Sequence, residues 1–101
     1  MLVVATDICY ADGEPVEVCV RRRGRRIDVD DGGATVRKAG KPRGWLEAAQ
    51  AVVAEPEFSF NVNRAGVVFV PLVEGRDVDE VAGRLARACA ALYGELLDLA
   101  D

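Results

Sequence analysis

Five arginines fill six positions around Gly24: Arg21, Arg22, Arg23, Arg25 and Arg26. A guanidinium stays charged at every physiological pH and offers forked donors to phosphate or carboxylate. This cluster is therefore the candidate anion-binding site, and a basic β-ribbon of this kind can track a nucleic-acid backbone. Three features weigh against nucleic acid. The chain carries a net charge of −4, no aromatic residue interleaves with the arginines to stack on bases, and Glu17, Asp28 and Asp30 stand where cross-strand pairing could neutralise them. An ion-paired hairpin, or a docking site for an acidic protein, is the preferred reading, with nucleic acid as the alternative partner.

The other reactive residue types are sparse. The chain has no histidine, which removes Ser-His and Cys-His nucleophiles and histidine-ligated zinc. Ser59 is the lone serine and falls in a predicted strand. Cys9, Cys19 and Cys89 show no paired spacing and read as small core or sheet residues. Asp28-x-Asp30-Asp31-Gly32-Gly33 begins like a calcium loop, but Gly32 stands where its fifth position needs oxygen and Ala39 where its twelfth needs Glu. Gly32-Gly33 leads into a predicted strand rather than a helix, so it lacks phosphate-loop geometry. The expectation is a non-enzyme with no catalytic residue, metal ligand or cofactor site.

The chain's 101 residues suit a single domain over 1–101. Its charge is uneven: residues 1–19 carry four acids and no base, residues 20–43 nine bases and three acids, and residues 44–101 four bases and ten acids. An odd cysteine count argues against a disulfide framework. Met1–Ala5 is too short for a signal segment, and no apolar run is long enough for a membrane span. The expected location is cytoplasmic, with no membrane partner.

Elements capable of positioning these groups follow from the hydrophobic period. Val16, Val18 and Val20 alternate with Glu17, Cys19 and Arg21, and Ile27 and Val29 with Asp28 and Asp30, predicting two strands joined at Gly24. Asp31-Gly32-Gly33 reads as a turn into a short third strand over Ala34–Arg37. Residues 2–10 fit either a strand or an irregular lead-in. Gly44–Glu55 has helical periodicity. Phe58–Leu72 reads as a hairpin holding all three phenylalanines, and hence as the centre of the sheet. Asp77, with Glu80 three residues on, resembles a capping box. From there Val78, Val81, Leu85, Cys89, Leu92 and Leu96 form the stripe of a long last helix. The order β-β-β-α-β-β-α gives an α+β domain, a mostly antiparallel sheet of about five strands with two helices on one face.

The last helix carries more apolar surface than one sheet needs. Gly83, Ala86, Ala90, Gly94 and Leu97 form a small-residue arc beside the main stripe. The shorter helix cannot cover all of it, so the arc is the candidate partner surface, for a protein partner or for self-association as a homodimer.

The block from Phe60 to Pro71 (FNVNRAGVVFVP), preceded by Arg23 to Gly40 (RGRRIDVDDGGATVRKAG), resembles a family of small uncharacterised bacterial proteins from GC-rich genomes. The likeness spans roughly Val16–Leu99 and implies no catalytic residue. The element order is also similar to type III secretion chaperones, and that resemblance implies dimerisation and the holding of extended peptide segments. The expected role is a non-enzymatic protein-binding module of chaperone, immunity or defence-accessory type, with a nucleic-acid binder using the Arg21–Arg26 hairpin as the alternative and an enzyme third.

Overall fold

The computed structural model describes residues Met1–Asp101. Five strands, β1 (Leu2–Cys9), β2 (Pro15–Arg23), β3 (Arg26–Asp30), β4 (Asn61–Val62) and β5 (Val68–Val70), form one antiparallel sheet in the order β1-β2-β3-β5-β4. Three helices accompany it: α1 (Ala34–Ala39), α2 (Trp45–Val53) and α3 (Val78–Ala100), the last entered through a 3-10 turn at Gly75–Asp77. The α+β class is as expected.

Alternation decides which face is covered. Val16, Val18 and Val20 of β2, Ile27 and Val29 of β3, Val62 of β4 and Val68 of β5 are buried together under the helices. Complete burial of such a side chain stabilises by about 1.5–3 kcal/mol. Val81, Leu85, Cys89, Leu92 and Leu96 of α3 lie against them, all buried, which is the predicted stripe. The opposite face, carrying Glu17, Cys19, Arg21, Arg23, Arg26, Asp28 and Phe69, has no helix over it.

Several expectations are corrected. Ala34–Arg37 is not a strand but the start of α1. The Asp31 carboxylate accepts the Gly33 and Thr35 N–H groups at 2.9 and 3.2 Å, satisfying donors that a helix start leaves orphaned. The missing strand comes from the N-terminal segment, which is β1. The Phe58–Leu72 hairpin lies toward one margin, since β3 is the middle strand and β4 an edge. Phe58 and Phe60 precede its strands. Their backbone is tied to α2, with Phe58 and Ser59 N–H donating to the Glu55 carbonyl at 2.8 and 2.9 Å and Phe60 N–H to that of Val53 at 2.7 Å. Ser59 takes a φ of 60°, which breaks the expected alternation. Phe58 and Phe60 are buried, while Phe69 lies half-buried on the open face. Finally, Asp77 makes no side-chain cap bond, because the 3-10 turn already places it in a helical conformation.

Candidate functional site

The predicted anion site is divided by the pleat. Arg21 and Arg23 point to the open face, paired in register with Asp28 and Arg26, whereas Arg22 is opposite buried Ile27 and projects the other way. Arg25 sits exposed in the connecting turn. Arg21 Nε donates to Asp30 Oδ2 at 2.6 Å, and Arg26 Nε donates to Asp28 Oδ1 at 2.9 Å. The hydrogen bond from Arg26 holds the Asp28 carboxyl below its ordinary range. Two of the five arginines are therefore neutralised locally, and Arg22, Arg23 and Arg25 form no ion pair. The open face folds into a shallow groove of about 400 Å³ in which Phe69 lies beside these paired charges. Cys19 stands over the same face next to Asp30, and burial pushes its thiol up, so it is a poor nucleophile.

Asp30, expected on the polar side of the second strand, and Asp31, expected in the turn after it, are both nearly inaccessible, at 5% and 3% exposure. Asp30 holds Arg21 and the Gly32 N–H, the latter at 2.7 Å. Asp31 turns inward. Besides the two N–H groups at the start of α1, it accepts that of Val68 in β5 at 2.9 Å, and the Cys89 thiol of α3 donates to it at 3.8 Å. Beside it the Tyr10 hydroxyl shares a 2.8 Å hydrogen bond with Thr35. Burial pushes Tyr10 up to about 12 and Cys89 well above the usual thiol range. These groups stay protonated at neutral pH, and every polar partner is internal, so the cluster locks α1, β5 and α3 together.

The expected partner arc of α3 is also divided. Ala86 is fully buried within the chain, Gly83 lies half-buried beside Arg87, and Leu97 is exposed at 37%. Ala90 and Gly94 form part of the floor of a cleft of about 610 Å³ between α2 and α3. Ala48, Val52 and Phe58 supply the other wall, and Glu55, Glu57, Glu95 and Asp98 line its rim. None of these four acids is in an ion pair. Glu57, hydrogen-bonded to Glu55, holds the Glu55 carboxyl above its ordinary range, with Glu95 adding like-charge repulsion. The rim escaped the sequence reading, though two signals marked it: Glu55 and Glu57 flank Pro56, and Glu95 and Asp98 are three apart on one helix face.

No three His, Cys, Asp or Glu side chains are grouped as metal ligands, and no helix is long and apolar enough to cross a membrane. Comparison with protein-family models, with curated proteins and with solved structures found no match.

Proposed function

We propose that this chain is a non-enzymatic protein-binding module, of chaperone, immunity or accessory type, whose α2–α3 cleft receives a basic amphipathic segment of a partner protein. The observation that carries this is the cleft itself: small apolar residues lined by four exposed carboxylates that have no cationic partner. Ala48, Ala90 and Gly94 let a partner backbone approach closely, and the absence of any atom within 4 Å of a Cβ built on Gly94 leaves room for a side chain. Lysines or arginines flanking the inserted apolar residues relieve the repulsion between Glu55, Glu57 and Glu95. The basic island is weaker support for a nucleic-acid role, since Asp30 and Asp28 neutralise Arg21 and Arg26 and Arg22 faces away.

The test uses a fluorescently labelled amphipathic helix of leucine and lysine, with a leucine–glutamate counterpart and duplex DNA as controls, read by anisotropy at physiological salt. The basic peptide binds in the micromolar range, the acidic peptide and DNA at least tenfold more weakly. Glu95→Lys and Ala90→Trp each weaken the basic peptide about tenfold or more while circular dichroism stays unchanged. Equal binding of both peptides, or indifference to both substitutions, overturns the proposal.

A further inference from the structure

The cleft leaves a second surface unexplained. β1 is an outer strand of the sheet, so alternate N–H and C=O groups along its free side have no ladder partner. Natural edges of this length are blunted by charge, proline or bulges, and β1 is blunted only in its second half. There the register with β2 shifts between Ala5 and Cys9, the Thr6 hydroxyl is taken by the Val16 carbonyl at 2.7 Å, and Asp7 adds a charge. Met1–Ala5 has none of these devices. It has no charged side chain and is regularly paired to β2 from Leu2 onward, and it exposes Met1, Leu2 and Val3 at 76%, 62% and 47%.

We infer that β1 pairs antiparallel with β1 of a second copy, about a two-fold axis through Val3, to make one continuous ten-stranded sheet. Three observations select a second copy as the occupant. The first is side-chain parity. With Val3 opposite Val3, Leu2 of each copy stands opposite Val4 of the other, so the apolar sides match and both sets of helices lie on the same face. The second is a hollow of about 340 Å³ beside the strand, where Leu2, Val4, Val20 and Val78 meet Arg22 and Asp79. The two-fold brings the two hollows together, and Leu2 and Val4 of each copy close that of its neighbour, which adds apolar burial to the strand hydrogen bonds. The third is charge. The β1–β2 hairpin is polarised in the charges that have no partner within the chain, with Asp7 and Glu17 toward its turn and Arg22 and Arg23 toward the other end. Antiparallel pairing sets each basic end alongside the partner's acidic end, whereas parallel pairing would place like beside like. The self-association expected of the α3 arc is thus relocated to the opposite margin of the molecule. This interface does not depend on the cleft reading.

The axis through Val3 makes the test specific. Val3 lies on the open face and is already half exposed, so a charged side chain there leaves the fold intact, as circular dichroism verifies. Light scattering of the full chain, with reductant to silence exposed Cys9, reads a dimer across the micromolar range. Val3→Lys and Val3→Glu are each monomeric, because two like charges meet on the axis. Mixed in equal amounts they recover the dimer, since Lys then opposes Glu. A monomeric parent, a dimeric Val3→Lys, or a mixture that stays monomeric overturns the inference.

Discussion

The two faces of the sheet solve the same problem in opposite ways. Each holds a nearly inaccessible aspartate, and the two are consecutive: Asp30 on the open face and Asp31 on the covered one. Asp30 meets a charged partner, Arg21, whose side chain is 36% exposed. Asp31 meets neutral donors alone, three backbone N–H groups and a thiol. A charge pair open to water is screened and contributes little. A carboxylate saturated by buried N–H groups joins α1, β5 and α3 from within the core. The difference teaches that the chain's conspicuous charges are peripheral to its stability, and that a single acid among the helices does most of the polar joining.

The sharpest break of this comparison is Asp31→Ala. It leaves the N–H groups of Gly33, Thr35 and Val68 without their side-chain acceptor in a buried setting, and each such orphan costs about 1–3 kcal/mol. A total loss of about 3–5 kcal/mol is expected, a large part of the stability of a domain this size. Urea unfolding at low and high salt checks it. The loss should be the same in both, because the partners carry no charge, and a loss below about 1 kcal/mol would mean water replaces the carboxylate.

Next comes the hydroxyl beside it. The Tyr10 phenol ordinarily titrates near 10 and is pushed up to about 12 by burial. The folded state therefore keeps its proton in a range where the unfolded chain has lost it. The resulting stability is fully present below pH 10 and is lost as pH rises through 12, a change of about 2–3 kcal/mol. Thermal melts between pH 10 and 12 should fall more steeply for the parent than for Tyr10→Phe. Cys89, whose thiol is raised in the same way, leaves a residual slope in the variant. Parallel slopes for parent and variant would show that Tyr10 ionises freely in the folded protein.

What the sequence made legible follows the same division. Strands β2 and β3 and the α3 stripe announce themselves because one face meets water and the other does not, so polarity alternates at period two or recurs at helical spacing. The α1 helix was missed because its starting signal, an aspartate two glycines ahead of Ala34, is also the signature of a tight turn; only the long-range bond to Val68 distinguishes the two uses. Phe58 and Phe60 mimic strand alternation while serving as plugs at the end of α2, since a period of two over five residues does not exclude a bound loop. The acidic rim was dispersed, with Glu55 and Glu57 in a loop and Glu95 and Asp98 on α3; each pair is visible locally, but no local pattern shows that the two pairs converge.

The smallest expected effect sharpens the comparison from the open side. Asp30→Asn keeps an oxygen able to accept the Gly32 N–H, which lies 2.7 Å from Asp30 Oδ1, and removes only the charge facing Arg21. Asp30 is more enclosed than an ordinary surface acid, with 7% of its side chain accessible, but Arg21 is open to solvent. Water and salt ions can solvate the freed guanidinium, so the loss should be about 1 kcal/mol at low ionic strength. Screening shrinks it further as salt rises toward molar concentrations, where the Debye length falls to about 3 Å. Paired urea titrations of parent and variant at the two salt levels measure the difference. A salt-sensitive loss of about 1 kcal/mol, set against the salt-insensitive and larger loss from Asp31→Ala, would confirm that adjacent acids work by different physics. A loss for Asp30→Asn as large as that for Asp31→Ala would instead make the open face part of the structural core, and its arginines fixed components of the fold.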